Sequence, residues 1–519
     1  MKTEEDLSEN SSLERLTSMT FGGGFTVRTY PESVNEVRGA RLFIGREKEN
    51  KFLYLLATDG VSGTLDDFAG EEIHGSSNGT GILIRRCPLN HHNASQLQKL
   101  FPFTRPVTIG LRDSFGFGDR LGLANPGHIR SLNGYNFKPV LAQQSIRELT
   151  RTNRTPEDVM DAAVWAVFQE GYKSGFGADA DHLKTIADVD LLVKAGYTMF
   201  TIDPSDHVVS GVGNMSDDEL KERTSKLAWS NFQDSYAGLL ARYDHRTIIL
   251  SDALSLKPAS REIHEACLKY NAALVHIKRM HDYLKSTYPK HECEIEVSID
   301  ETDTVTTPFE HFYIVNELNR LNIAFISLAP RFVGDFEKGI DYKGSIDLFK
   351  SEYLKHVAIA EHFGSYKISF HSGSDKFRVY EAVGEINRGN VHIKTAGTSY
   401  LEALKVLAIR EPDLFREILD YAVGLYETEK KSYHVSGDMK KIKPGKNYRD
   451  DELENMFASE AVRQALHVTY GRVLTEKKNA SGYTFRSRIY DCLNRNEDLH
   501  YGLLVRHFHR HMDPFRRVG

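Results

Sequence analysis

Ile368-Ser-Phe-His371-Ser-Gly-Ser374-Asp375-Lys376 is an apolar run that ends abruptly in imidazole, hydroxyl, carboxylate and ammonium groups. Two other stretches share the pattern: Phe176-Gly-Ala-Asp179-Ala-Asp181-His182 and Val391-His392-Ile-Lys394-Thr395. Strands that empty several polar groups at their C-terminal ends build the active sites of (β/α) barrels and open α/β sheets. Imidazoles from different strands, with carboxylates beside them, are the donor set of a divalent metal site. The three stretches together read as a metal-dependent α/β enzyme.

Around them the chain alternates strand, polar loop and helix from Pro106 onward. The expected strands are Val107–Leu111, Tyr197–Ile202, Glu294–Ile299, Ile323–Leu328, Tyr366–Phe370 and Asn390–Ile393, with Gly175–Ala178 a weaker one. Thr247–Leu250 or Tyr433–Val435 would supply an eighth. Thr155-Pro156-Glu157-Asp158 and Thr185 mark helix starts by their capping residues. Seven or eight such alternations favour a (β/α)8 barrel over an open sheet. Short alternating runs before Thr104 predict a small β-rich N-terminal region (1–105), preceded by a loosely docked tail over residues 1–18. The barrel then takes 106–439, and a charged, helical stretch (440–519) forms a C-terminal extension.

The 519 residues exceed one ordinary core, and 28 Phe with 24 Tyr supply an ample interior. The net charge of −6, with both signs interspersed, excludes a basic face for nucleic acid but not a local anion site. Cys87, Cys267, Cys293 and Cys492 form no CxxC pair and read as reduced thiols. The acidic start lacks the apolar core of a secretory signal, and no run is long enough to span a membrane. A cytoplasmic protein is expected, free of nucleic-acid and membrane partners, with homo-oligomerisation left open.

Asp179 and Asp181 share a face of an extended segment, while His182 points the other way or begins the loop. His182 is assigned as a metal ligand and Asp181 as a proton-transfer group beside it. His371 and His392, on what look like successive strands, complete the expected ligand set. The small residues after His371 would let backbone N–H groups face an anion, so Asp375 and Lys376 are assigned to substrate binding. Lys394, two residues past His392, faces the same way and joins them. Glu301 directly follows the strand ending at Ile299 and is assigned as catalytic. Glu310 stands three residues after Thr307 and reads as a capping box, as does Glu402 after Ser399. Gly116-Phe-Gly118-Asp-Arg-Leu121 begins like a dinucleotide fingerprint but has Leu where its third Gly belongs, so no NAD is expected. His507 and His511 share a helix face, yet a basic terminal helix is the simpler reading.

Ser114-Phe-Gly-Phe-Gly-Asp-Arg-Leu-Gly-Leu-Ala-Asn-Pro-Gly-His128, Gly175-Phe-Gly-Ala-Asp-Ala-Asp-His182 and Phe370-His-Ser-Gly-Ser-Asp-Lys376 resemble the tagaturonate/fructuronate epimerase family of bacterial hexuronate catabolism. The likeness runs from about residue 100 to the end. It implies a barrel, a divalent cation (Zn, Mn, Ni, Co or Fe) and interconversion of D-tagaturonate with D-fructuronate, both small sugar acids. Retro-aldol cleavage and re-addition would suit that chemistry, with Asp181 and Glu301 handling the hydroxyl proton. Arg120, Lys376 and Lys394 are then the groups expected to hold the substrate carboxylate. The same constellation would also serve a metal-dependent aldolase or ketose isomerase on another sugar acid. A non-catalytic sugar-acid-binding protein is the reading from a different class.

Overall fold

The computed structural model describes residues 17–21, 25–58, 66–73, 82–252, 254–479 and 482–516. Residues 1–16 of the expected tail lie outside the described residues. Eight parallel strands close a barrel: β1 (Ser114–Phe117), β2 (Lys138–Ser145), β3 (Gly177–Leu183), β4 (Met199–Ile202), β5 (Glu294–Ile299), β6 (Ser327–Pro330), β7 (Lys367–Phe370) and β8 (Asn390–Thr395). The ring shuts where β8 pairs with β1, His392 opposite Ser114 and Lys394 opposite Gly116.

The barrel is the one expected, but two of its strands are not. Val107–Leu111 is irregular and half exposed at both ends, so its apolar residues do not make a strand. β1 and β2 take its place. Ile248–Ser251 pairs only with Leu254–Leu256 in an outlying hairpin, and Tyr433–Val435 forms no strand. Gly116 and Gly118 belong to β1 and the turn after it. A Cβ at Gly118 would lie 2.5 Å from the Thr395 carbonyl oxygen, so the glycine is there to let β1 and β8 approach. Asp119 then accepts from the backbone N–H groups of Leu121, Gly122 and Ala124 at 2.7–3.1 Å. This motif folds the barrel seam.

The inner face is polar, unlike the usual barrel, whose axis is filled with branched apolar side chains. In β5, Ile295, Val297 and Ile299 face outward into the main apolar core, and Glu294, Glu296 and Ser298 occupy the other face. Outside the strands lie helices α1 (Asn125–Ser131), α2 (Ile146–Thr152), α3 (Pro156–Gln169) and α4 (Pro308–Arg320), among others. Thr155 with Asp158 and Thr307 with Glu310 form the expected capping boxes of α3 and α4. β2 runs straight into α2, whose N-cap is its last residue, Ser145.

Beyond the barrel come α5 (Thr398–Arg410), α6 (Glu460–Val468) and α7 (Glu497–Met512). Leu404 and Leu407 of α5 pack with Phe415, Ile418, Leu466 and Ile489 in a second apolar core. Helix α7 instead joins the main core through Leu504, Phe508 and Met512, with Phe508 edge-on to Phe115 and Phe117 of β1. The Ser399–Glu402 capping box is not formed. Gly397 is the N-cap of α5, Ser399 pairs with His128, and Glu402 turns to His507.

The N-terminal region is an antiparallel sheet centred on Ala40–Glu47, Asn50–Thr58 and Ile82–Pro88. Glu497, the first residue of α7, ties the sheet down. Its carboxylate accepts from Tyr30 at 2.8 Å and Lys51 at 2.8 Å and pairs with Arg46. Among the described residues no helix is long and apolar enough to cross a membrane.

Candidate active site

Inward-facing polar groups converge at the C-terminal end of the barrel. Lys394 stands on the axis, its Nζ 2.7 Å from Asp179, 2.8 Å from Asp181 and 2.7 Å from Glu296, and it also donates to Thr201 at 2.6 Å. Burial opposes the charge on Lys394, but three carboxylates outweigh it and hold the ammonium well above its ordinary value. Asp181 is correspondingly held ionised: burial would raise it, and Lys394, His182 and His371 overcome that.

Above this hub stand two imidazoles. The backbone of His182 is left-handed (φ 52°), at a break in the β3–β4 register between Ala180 and Leu183. That local irregularity swings His182 to the mouth beside Asp181, although alternation alone would point it outward. Asp203 holds its Nδ1 at 3.2 Å, and its Nε2 faces Asp181 at 3.7 Å. Glu296 holds His371 Nε2 at 2.7 Å, while Nδ1 faces Asp300 at 3.1 Å. The two rings lie 4.9 Å apart, edge to face. Each imidazole therefore has one nitrogen fixed by a carboxylate behind it and one turned toward a shared space, the arrangement that orients histidine ligands of metals.

His182, Asp300 and His371 each bring a ligand atom within 4.8 Å of the others, and Ser298 donates to Asp300 at 2.6 Å. Two imidazoles and a carboxylate are a donor set for a borderline divalent cation. The charges fit as well. Burial opposes protonation of His371, but Asp300 and Glu296 raise it to about 10; burial opposes ionisation of Asp300, and His371 with His182 drives it far down. The cluster collects positive charge between its acids.

A cleft of about 520 Å³ opens over these groups, within the range of small-ligand sites. Asp300, Glu301, Lys338, His371 and Arg147 line it. Arg147 is the second residue of α2, placed at the mouth because β2 passes directly into that helix. Its guanidinium lies 5.4 Å from the Tyr433 ring. Lys338, in the loop after β6, donates to Ser372 at 2.6 Å. Burial, with Arg147 nearby, holds its ammonium below the ordinary lysine value. Glu301 is exposed on the cleft wall.

Asp181, His182, His371, Lys394 and Glu301 thus come together as expected. Three other expected residues lie apart, and a fourth, Arg120, lines the inner pocket with its guanidinium already paired. His392 sits one layer deeper, 2.9 Å from Ser114, where burial lowers its imidazole to about 3. Asp300 stands where that third ligand was expected. Arg120 is committed to Glu148 at 3.0 Å and to the His467 carbonyl, and it stacks 3.6 Å over Tyr470. Lys376 donates to the carbonyls of Glu337, Ile340 and Ser374, and burial lowers it to about 7. Asp375 pairs with Arg463 and His507. These three hold the structure around the cleft and offer no free group to a substrate carboxylate. Glu310 caps α4, as its spacing implied, and it also pairs with Lys269 at 2.9 Å.

A profile of the tagaturonate epimerase family matches residues 30–515. A tagaturonate/fructuronate epimerase of Thermotoga maritima is 42% identical over 497 residues, covering 95% of this chain and 97% of its own. The native crystal structure of the fructuronate-tagaturonate epimerase of Cohnella laeviribosi superposes with a TM-score of 0.87 at 34% identity, over 98% of this chain and 99% of that one. A glycerol complex of the same Cohnella enzyme gives a TM-score of 0.87 at 36% identity, over 94% and 96%.

Proposed function

This chain belongs to the tagaturonate epimerase family and is an epimerase, and we propose that it interconverts D-tagaturonate and D-fructuronate, with a divalent cation, by retro-aldol cleavage and re-addition. The observation that carries the metal reading is the pair of imidazoles, each anchored behind by a carboxylate and each with a ligand atom within 4.8 Å of the other and of Asp300. A cation held by His182, Asp300 and His371 would supply positive charge for the oxygen that becomes negative during cleavage. A cytoplasmic setting agrees with Cys87, Cys267, Cys293 and Cys492 all being unpaired.

The two keto acids differ at a hydroxyl-bearing carbon β to the ketone. Its C–H is not acidic, so removing a proton next to the carbonyl cannot invert it. In the retro-aldol route the hydroxyl on that carbon gives up its proton and the bond to the α-carbon breaks. The bonding pair moves onto the ketone, leaving an enediolate and an aldehyde. The aldehyde turns its other face, the enediolate carbon adds back, and the new alkoxide recovers a proton. Nothing is oxidised or reduced overall.

Asp181 and Glu301 are the groups for that proton, one on the barrel axis and one on the cleft wall. Lys394 keeps Asp181 and Glu296 in place, and Glu296 in turn fixes His371. The deciding experiment is isotopic. Substrate deuterated at the inverted carbon should keep its label through epimerisation in ordinary water, and traces of two three-carbon fragments should escape. A large primary isotope effect, or label lost to solvent, would mean the C–H bond breaks and the retro-aldol route is wrong.

A further inference from the structure

Most cations around the barrel mouth are already neutralised or fully bonded. Lys394 has three carboxylates, Arg120 has Glu148, and Lys376 has three carbonyls. Arg147 and Lys338 differ. Neither has a carboxylate within ion-pair distance among the described residues; Lys338 donates only to the Ser372 hydroxyl, and Arg147 rests against the Tyr433 ring. Both line the wide cleft and also the small inner pocket that reaches Asp181, His182 and Lys394. Arg331 and Lys431 line the cleft alone. Two like charges at one throat, neither of them paired with the acids of the cleft, are stabilised when an anion arrives.

We propose that Arg147 and Lys338 form the subsite for the substrate carboxylate and so set the preference of this barrel for sugar acids over neutral ketoses. The proposal rests on the epimerase reading above. The Arg147 guanidinium, 5.4 Å from the Tyr433 ring, can offer two N–H groups to the carboxylate, and the lysine adds a second charge-assisted bond from the β6 side. The carboxylate end of the hexuronate is then held at the throat while its ketone end reaches His371 and Asp300. In a cleavage mechanism the carboxylate stays with the aldehyde fragment, so these two residues also retain that fragment while it turns.

The test compares D-tagaturonate with D-tagatose, which has a CH2OH in place of the carboxylate. Arg147→Met and Lys338→Met should each raise KM for tagaturonate about tenfold to a hundredfold, while kcat/KM for tagatose stays within about threefold. Lys338→Arg should keep most of the preference for the acid. A parallel loss on both substrates, or an unchanged KM for tagaturonate, would overturn the subsite. Calorimetric binding keeps the two proposals apart. Tagaturonate bound by the wild type, weakly bound by both Met variants and never epimerised would sink the epimerase reading and support the subsite. Equal binding by wild type and variants would overturn the subsite whatever the activity.

Discussion

Two clusters in this molecule have the same donors, two histidines and an aspartate, with ligand atoms inside the same 4.8 Å limit. One is His182, Asp300 and His371 at the barrel mouth; the other is Asp375, His507 and His511 between the β7 turn and α7. Their surroundings separate them. At the mouth each imidazole has one nitrogen anchored and one facing a cleft. In the second cluster every imidazole nitrogen already has a protein partner. His507 lies between Asp375 at 2.8 Å and Glu402 at 3.2 Å, and His511 accepts from the Asp375 N–H and faces the His507 carbonyl. The first cluster has capacity left for a ligand. The second is a clasp that fixes α7 to the turn after the strand carrying His371. Donor count alone does not distinguish a site from a clasp; an opening onto a cleft does.

The largest effect expected from this contrast is at the mouth. His371→Ala or Asp300→Asn should lower turnover by at least about a thousandfold, the several kcal/mol that a cation contributes to charge stabilisation. Chelator should abolish wild-type activity, and an added divalent ion should restore it. Full turnover in metal-free protein would remove the distinction between the clusters. Next come the two glutamates. Glu301→Gln should cost turnover at least about a hundredfold, the usual worth of a general acid or base. Glu310→Gln should touch stability, by roughly 0.5–2 kcal/mol, because that residue caps α4. A dead Glu310→Gln with an active Glu301→Gln would reverse the assignment.

The smallest effect on turnover is expected at the clasp. His507→Gln should leave kcat/KM within about threefold while costing about 3–5 kcal/mol of stability, because it opens a buried ion pair. Burial opposes the charge on His507, but Glu402 and Asp375 raise its imidazole to about 9. A raised folded value means the stabilisation is complete below about 6.5, the unfolded value, and is lost as pH rises through about 9. The Tm gap between wild type and His507→Gln should therefore be wide at pH 6 and narrow above pH 9. A variant that loses both metal and activity would show that the clasp, too, is a metal site.

Much of the fold was legible because the strand ends announce themselves, and the site was legible where side chains obey strand alternation. Asp179 and Asp181, and His392 and Lys394, do so. The same alternation runs through Glu296, Ser298 and Asp300 and through Thr201 and Asp203, so the signal for Asp300 and Asp203 was present. Attention to Glu301, one residue out of phase, obscured it. His182 breaks alternation through a left-handed residue that no local pattern announces. β1 was hidden because Ser114 and Gly116 give it no apolar inner face, and β2 because Pro139, Gln143 and Gln144 do not look like a buried strand. Arg147 and Lys338 come from segments about 190 residues apart in sequence, and only closure of the barrel puts them on one throat. The fates of Arg120, Asp375 and Lys376 depend on Glu148, Arg463 and three loop carbonyls, all non-local.

Glu497 has a consequence for how the protein is made. The cations it neutralises, Arg46 and Lys51, emerge from the ribosome some 450 residues before it. Until α7 has been synthesised and released, the N-terminal sheet carries a basic patch with no buried acid to meet, and the barrel wall at β1 lacks Phe508. Nascent chains stopped short of α7 should therefore stay protease-sensitive in the N-terminal sheet and at β1, and both should become protected only when α7 docks.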